Sequence, residues 1–530
     1  MTDAKGITYT DAVAALRRQG VHIPNKPGAA RWHDVQCPLC SAHNPADTSL
    51  RVQSRMHNAE LVCRNGCQPV RILQAIGFTG VRQVASPPRP EGDEEHSGQL
   101  RMAYRLAKSH RDRLLYVHGI GWHYYDETRW AVDKLGKAQT AVRDVLRDAL
   151  TESAANPPLR KDVAKCETAN GIDGVLRIAA AMPEFAVTVD DLDADPYLLN
   201  VANGTLDLRT MELHDHDPAD RITKVARGAY DAQATGAIWT AFLARVLPDE
   251  LVRAYLQRIA GLSLCGKVIE HILAILTGEG ANGKGTCYGA MLYALGDYAA
   301  AAVPDLFEAR EAAHPTGQMD LLGRRFVVVS ESDKGRRLAE ATMKRLTGGD
   351  RIKARYMRRD PVEFDPSHTA FLVTNHLPKV SGDDSAVWRR LRVIPFDVVI
   401  PEDERDGHLD EKLQLEADAV LAWAIEGWTM YRRNGLDEPA AVLVATGDYQ
   451  KASDAVARFM DDECTTSSPA LKATTRQLFE AWEKWRIADG AEQLSEKAFG
   501  QALDKKGYPA KLSNGKRWRH SIALAVKAED

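Results

Sequence analysis

The 530-residue chain has no apolar run approaching the ~18 residues of a membrane helix, and Met1 to Gly6 holds no signal-peptide core. A soluble protein that stays in the cytoplasm, with no membrane partner, is therefore expected. Cysteine is scarce. Eight residues, unevenly placed, exclude a disulfide framework of the kind that staples small secreted domains. Excess positive charge is also absent: 69 Lys and Arg stand against 73 Asp and Glu, a net of −4. Indiscriminate attraction to polyanions is thereby excluded, and any nucleic-acid contact must use local clusters. The sequence has no internal repeat, and its length suggests three or four domains.

Glycine, by contrast, is concentrated where it carries information. Gly278-Glu-Gly-Ala-Asn-Gly-Lys284-Gly-Thr286 follows the β-branched run Ile272 to Leu276 and precedes a helical stretch, Cys287 to Leu295. A strand, a glycine turn and a helix start form a phosphate cradle: backbone N–H groups point at the anion and a lysine adds charge. The residues expected to hold a nucleoside triphosphate are Gly278, Gly280, Asn282, Gly283, Lys284, Gly285 and Thr286. The position after the lysine, ordinarily a hydroxyl on Mg²⁺, is Gly285, which leaves Thr286 or a water for the metal.

Hydrolysis also needs an acid at the end of a neighbouring strand. Arg325-Phe-Val-Val-Val-Ser-Glu331-Ser-Asp333 supplies two carboxylates after an apolar run. His368 to Asn375 is a second such strand, ending in an amide suited to hold water, and Arg389 and Arg390 precede a third. Two clusters carry the positive charge. Lys344 to Arg359 includes Lys353 and Arg355 and holds one acid, Asp350, while Lys505 to His520 has six cations and no acid.

Four of the cysteines cluster. Cys37-Pro-Leu-Cys40 and Cys63-Arg-Asn-Gly-Cys67 have zinc-ribbon spacing, and Zn²⁺ takes four such ligands. The set is Cys37, Cys63 and Cys67 with Cys40 or, alternatively, His43.

These signals divide the chain into a zinc-binding module (1–84), a Pro- and charge-rich linker (85–99), a mixed α/β segment (100–237), an α/β ATPase domain (238–440) and a C-terminal module (441–530). Ile238 to Leu264 and Leu409 to Arg433 are expected to be helical. In the C-terminal module, two helices and a hairpin turning at Asn514-Gly515, with Lys516 and Arg517 at the turn, suggest a winged helix able to touch DNA.

Taken in order, GEGANGKGT, VVVSESD, KRLTGGDRIKARYMRR, TAFLVTNHLP and WRRLRVIPF resemble the superfamily 3 helicases of the phage, plasmid and poxvirus primase-helicase type. DPYLLNVANGTLDLRT, residues 195–210, is similar to that family's helicase-associated domain, and Trp32 to Phe78 resembles the zinc module of phage primases. The resemblance implies a multidomain α/β protein with a central AAA+-like α/β/α P-loop ATPase that uses ATP and Mg²⁺. It implies Lys284 on the β/γ-phosphates, Glu331 as Walker B acid with Asp333 beside it, and Asn375 as sensor. Arg389 or Arg390 is implied as a finger reaching the next subunit of a homo-hexamer, and Lys353 and Arg355 as a hairpin gripping single-stranded DNA.

The expected activity is an ATP-dependent helicase moving 3′ to 5′ on forked DNA in phage or plasmid replication, in the bacterial host cytoplasm, beside a separate primase or other replication proteins. A bifunctional primase-helicase and an ATP-switched origin binder are the alternatives. Primer synthesis is not expected, because the segment after the linker has no clustered metal-binding carboxylates.

Overall fold

The computed structural model describes residues 9–19, 21, 33–40, 48–55, 58–65, 67, 69–76, 96–302, 304–307, 315–330, 337–355, 361–380, 384–513 and 515–525. It forms two compact units, Met1–Tyr104 and Arg105–Asp530. Among the described residues, no helix is long and apolar enough to cross a membrane.

The first unit contains α1 (Tyr9–Arg18), the antiparallel strands β1 (His33–Val35), β2 (Leu50–Arg55) and β3 (Asn58–Cys63), and α2 (Pro69–Ala75). Leu50 and Val52 alternate with Arg51, so one face of β2 is apolar; it closes on Leu16, Leu61, Ile72 and Leu73. This core is small for a unit that must hold its fold. The chain boundary between the units falls within α3 (Gly98–His110).

The second unit opens with β4 (Leu114–Val117), β5 (Gly121–Tyr125) and β6 (Trp130–Val132), then α4 (Lys137–Glu152), α5 (Pro157–Cys166), α6 (Ala169–Ala179) and β7 (Ala186–Val187). These strands form one sheet in the order β6-β5-β4-β7. A meander of β8 (Leu198–Val201), β9 (Gly204–Asp207) and β10 (Glu212–His214) leads to α7 (Ala237–Val246) and α8 (Glu250–Leu262).

The centre is an all-parallel sheet. Its members are β11 (Leu273–Thr277), followed by α9 (Lys284–Leu295); β12 (Ala299–Ala302); and β13 (Phe326–Ser330), followed by α10 (Glu340–Leu346). After the hairpin β14 (Ile352–Ala354) and β15 (Val362–Phe364) come β16 (Thr369–Thr374), α11 (Ser385–Trp388) and β17 (Leu391–Pro395). The order is β12-β13-β16-β11-β17. The strands are apolar almost throughout because both faces are covered. Ala274, Leu276, Val328, Phe371 and Ile394 face the core built with α7, α8 and α9, while Leu273, Ile275, Val327, Leu372 and Val393 face Met319, Met343 and Trp388.

The expected helix from Leu409 to Arg433 is two helices, α12 (Leu409–Leu415) and α13 (Ala417–Asn434). Glu416 breaks the run, and its carboxylate accepts the N–H groups of Ile238 (3.1 Å) and Trp239 (2.7 Å) at the start of α7, an arrangement favoured by the helix dipole. Helices α13 and α8 cross backbone to backbone at Gly427 and Gly261. A Cβ on Gly261 would lie 1.9 Å from the Trp428 nitrogen, and one on Gly427 would lie 1.9 Å from the Gln257 oxygen. Gly261→Ala must push two buried helices apart and is expected to cost about 3 kcal/mol. Urea unfolding followed by circular dichroism measures it; an unchanged midpoint would contradict the crossing.

The chain ends in α14 (Ala440–Ser453), α15 (Ala455–Glu463), β18 (Cys464–Thr465), β19 (Lys472–Thr474), α16 (Thr475–Asp489), α17 (Glu496–Lys505), β20 (Ala510–Ser513), β21 (Lys516–His520) and β22 (Ala523–Leu524). Leu478, Trp482, Phe499, Leu503 and Ile522 form a separate core here. The two helices precede the hairpin β20–β21, whose register pairs Ser513 with Lys516.

Candidate functional site

Strand order places β11 between β16 and β17, so the glycine-rich loop after Thr277 lies beside the carboxyl ends of both neighbours, the edge where ligands bind in open α/β sheets. The loop is clamped to β17. Phe396 donates its N–H to the Thr277 oxygen (2.8 Å), and the Asn282 side-chain amide donates to the Phe396 oxygen (2.9 Å). Gly278 and Gly283 are required by space: each has positive φ, and a Cβ would fall 2.2 Å from the Phe396 oxygen or 2.5 Å from Val246 Cγ1. Ala281 also takes a left-handed conformation, φ 61°, at a cost of about 1–2 kcal/mol, while its oxygen accepts the Ile400 N–H (2.8 Å). Around Gly280 and Gly285 there is open space, so Gly285 is not there for lack of room.

Lys284, the first residue of α9, is buried. Its Nζ donates to the oxygens of Gly278 (2.7 Å) and Glu279 (3.3 Å) and to the side-chain oxygens of Asn282 and Asn375 (both 3.1 Å). Burial lowers its pKa. Two residues predicted from the sequence, Lys284 at the start of α9 and Asn375 just after β16, are thus brought together. Thr286 lies in the first turn of α9, where backbone N–H groups have no partner within the helix. Glu331 and Asp333 lie outside the described residues; β13, which they follow, ends level with β16 through the pairing of Ser330 with Val373.

The arginine pair separates. Arg389 is exposed, whereas Arg390 is buried and donates to the Ala386 oxygen at 2.7 Å. Arg390 therefore props α11 from inside, and Arg389 is the exposed member of the pair. Asp384 caps α11 through the Ala386 N–H (2.8 Å) and also accepts Lys344 Nζ (2.7 Å), a bond that holds its carboxyl below the usual range. The capping pattern, Asp before a short helix, was readable in sequence; the lysine partner was not.

The first basic cluster is less positive than its sequence. Arg351 pairs with Asp190 (2.8 Å) and Asp365 (3.6 Å), and Lys353 pairs with Glu363 across the β14–β15 hairpin (3.1 Å). Arg355 is exposed at the end of β14. The C-terminal cluster thins in the same way. Arg519 is buried as a strut, bonded to Asp504 (2.6 Å), the Gly500 oxygen (2.8 Å) and the Thr475 hydroxyl (3.1 Å), and Lys506 pairs with Asp454. Lys516 and Arg517 remain exposed at the tip.

In the first unit, β1, β3 and α2 bring Cys37, Cys40, Cys63 and Cys67 together, with all four sulfurs within 4.8 Å of one another. Cys40 Sγ is 3.6 Å from Cys63 Sγ and 3.3 Å from Cys67 Sγ, and none is in a disulfide. Tetrahedral thiolates ~2.3 Å from an ion stand ~3.8 Å apart, so the set fits a metal. Burial raises the Cys37 thiol to about 11. Cys63 is also raised by burial, but the Ser49 hydroxyl and backbone N–H groups outweigh this and bring it to about 6. A bond shared with Cys40 raises Cys67 to about 12. His43 lies outside the described residues.

Residues 103–248 match the family described as "D5 N terminal like", and residues 276–390 match a "Family of unknown function (DUF5906)". The chain is 28% identical over 338 residues to a protein named "Putative helicase" in Acanthamoeba polyphaga mimivirus, covering 59% of this chain and 35% of that protein. A "Putative helicase" of Frog virus 3 is 25% identical, covering 50% and 29%. A "Putative primase" of African swine fever virus is 24% identical, covering 41% and 24%. The chain thus spans about a third or less of the length of these three curated relatives. The solved structure titled "The A form apo structure of NrS-1 C terminal region-CTR" is similar at a TM-score of 0.37 and 11% identity, over 57% of this chain and 77% of that one.

Proposed function

We propose that this chain, a member of the phage and viral primase-helicase family, is an ATP-driven DNA helicase of superfamily 3 with an AAA+-like core. The observation that carries this reading is Lys284, held among four oxygens at the carboxyl edge of the parallel sheet with Asn375 facing it. ATP, when bound, supplies the phosphoanhydride whose cleavage drives movement. The N–H groups of the loop and the first turn of α9 receive the phosphates, and Lys284 exchanges its carbonyl partners for their oxygens. Its partial desolvation strengthens that contact.

Asn375 would orient the attacking water, and Glu331, with Asp333 beside it, would hold Mg²⁺, which when bound would supply charge to the phosphates. With no hydroxyl at Gly285, Thr286 or a water would serve in its place. Arg389 reaches the neighbouring subunit of a homo-hexamer. The β14–β15 hairpin, through Lys353 and Arg355, grips single-stranded DNA by its phosphates, and Lys516 and Arg517 touch DNA at the fork. Zn²⁺ in the four-cysteine cluster fixes the first unit for a DNA or protein contact, such as a separate primase.

Lys284→Ala is expected to lower DNA-stimulated phosphate release by about 10²–10³-fold with an unchanged circular dichroism spectrum. Retained hydrolysis would remove the site. Tailed duplexes of either polarity then separate a helicase, expected to move 3′ to 5′, from an origin binder that hydrolyses ATP and displaces no strand.

A further inference from the structure

A cavity of about 1120 Å³ opens at the other edge of the central sheet, walled by the segments that precede β12, β13 and β16 and by β5, β6 and the turns around 193 and 224. The glycine-rich loop does not line it. Its floor is positive. Arg325 is buried and spends its guanidinium on the oxygens of Leu264 (2.5 Å) and Leu198 (2.7 Å) and on the face of Tyr298 (4.4 Å), all neutral partners.

Lys224 donates to the Thr223 hydroxyl (2.7 Å). Burial, resisted by Asp193 and deepened by Arg324, Arg129 and Arg325, pushes its ammonium down to about 8. Seven Lys and Arg line the cavity against five aspartates, Asp190, Asp193, Asp297, Asp320 and Asp365, and Asp190 and Asp365 are paired with Arg351. Asp193 accepts the Thr223 N–H (2.8 Å) and hydroxyl (2.6 Å), and Asp297 accepts the Val225 N–H (3.2 Å) and pairs with Arg129. His123, on the same wall, is held by burial at about 4 and stays neutral.

The mouth has a different character. Leu135 is 79% exposed and Val132 42%, and both line the cavity. Exposed aliphatic side chains give no stability to this chain alone, but offer a face to a flat apolar ring. A positive floor and an apolar mouth match the two ends of one chemical class.

We propose that this cavity is a second nucleotide site, distinct from the glycine-rich loop, which takes phosphate on Lys224, aided by the rim lysines Lys134 and Lys267, and a base against Val132 and Leu135. The phosphorylated nucleoside is either a free nucleoside triphosphate or one unit of a single strand. The inference does not depend on ATP binding at Lys284.

The test uses the full chain carrying Lys284→Ala, so that the loop does not contribute. Fluorescent ATP and fluorescein-labelled oligothymidylate are titrated separately, alone and with Lys224→Gln or with the exposed rim pair Lys134→Ala and Lys267→Ala. Lys224→Gln is expected to weaken one of the two ligands at least tenfold, and the rim pair to weaken the same ligand about threefold. Loss of ATP identifies a free nucleotide; loss confined to the oligonucleotide identifies a strand. If Lys224→Gln fails to fold, the rim pair decides. Affinities for both ligands unchanged in every folded variant would overturn the site.

Discussion

Arg389→Ala is expected to reduce ATP turnover of the assembled protein by about 10³–10⁵-fold, the range for an arginine that meets transition-state charge from a second subunit. Nucleotide affinity should hardly change, because Lys284 and the loop are untouched. The neighbouring arginine gives the contrast. Arg390 is buried against α11, so Arg390→Ala should show itself first as lost stability. Mixing makes the prediction specific to a shared site: Arg389→Ala chains keep a sound loop, and Lys284→Ala chains keep a sound arginine. Mixed assemblies should regain turnover that neither variant has alone. Phosphate release from such mixtures is the measurement, and mixtures as inactive as their parents would sink the proposed role.

Removal of metal from the first unit should be the largest effect on folding. Ordinary preparations are expected to hold one zinc per chain. Because the sulfurs come from separate segments, binding free energy is folding free energy, on the order of 10 kcal/mol for structural zinc. The small core around Leu50, Leu61 and Ile72 has little to set against such a loss. Chelation should therefore abolish hydrogen-exchange protection across β2 and β3 while leaving the central sheet protected. Protein free of zinc by elemental analysis, or strands still protected after chelation, would refute this.

The parallel strands were legible because burial on both faces writes them as continuous apolar runs: Leu273–Thr277 and Phe326–Ser330 differ little from the runs seen in sequence. The loop was legible because glycine is required where a Cβ meets the Phe396 carbonyl. Charge pairing was not, since Arg351 finds Asp190, and Lys344 finds Asp384, across the fold. Counting charges in a window therefore overstated both basic clusters. Glu416 was hidden for the same reason: a helical period cannot reveal that its carboxylate caps a helix starting at Ala237. The cavity, assembled from many short segments, leaves no local signature at all.

The glycine crossing of α8 and α13 also determines how this protein can be dissected. Gly261 and Gly427 lie on opposite sides, in the chain, of every strand of the central sheet, so the two helices close the sheet's core like the ends of a belt. A fragment trimmed to the sheet alone, from β11 to β17, would leave Ala274, Leu276 and Ile394 uncovered and should aggregate. The shortest soluble piece around this sheet should run from α7 to the end of α14, because Thr446 accepts the Val393 N–H and Tyr449 packs on Trp388.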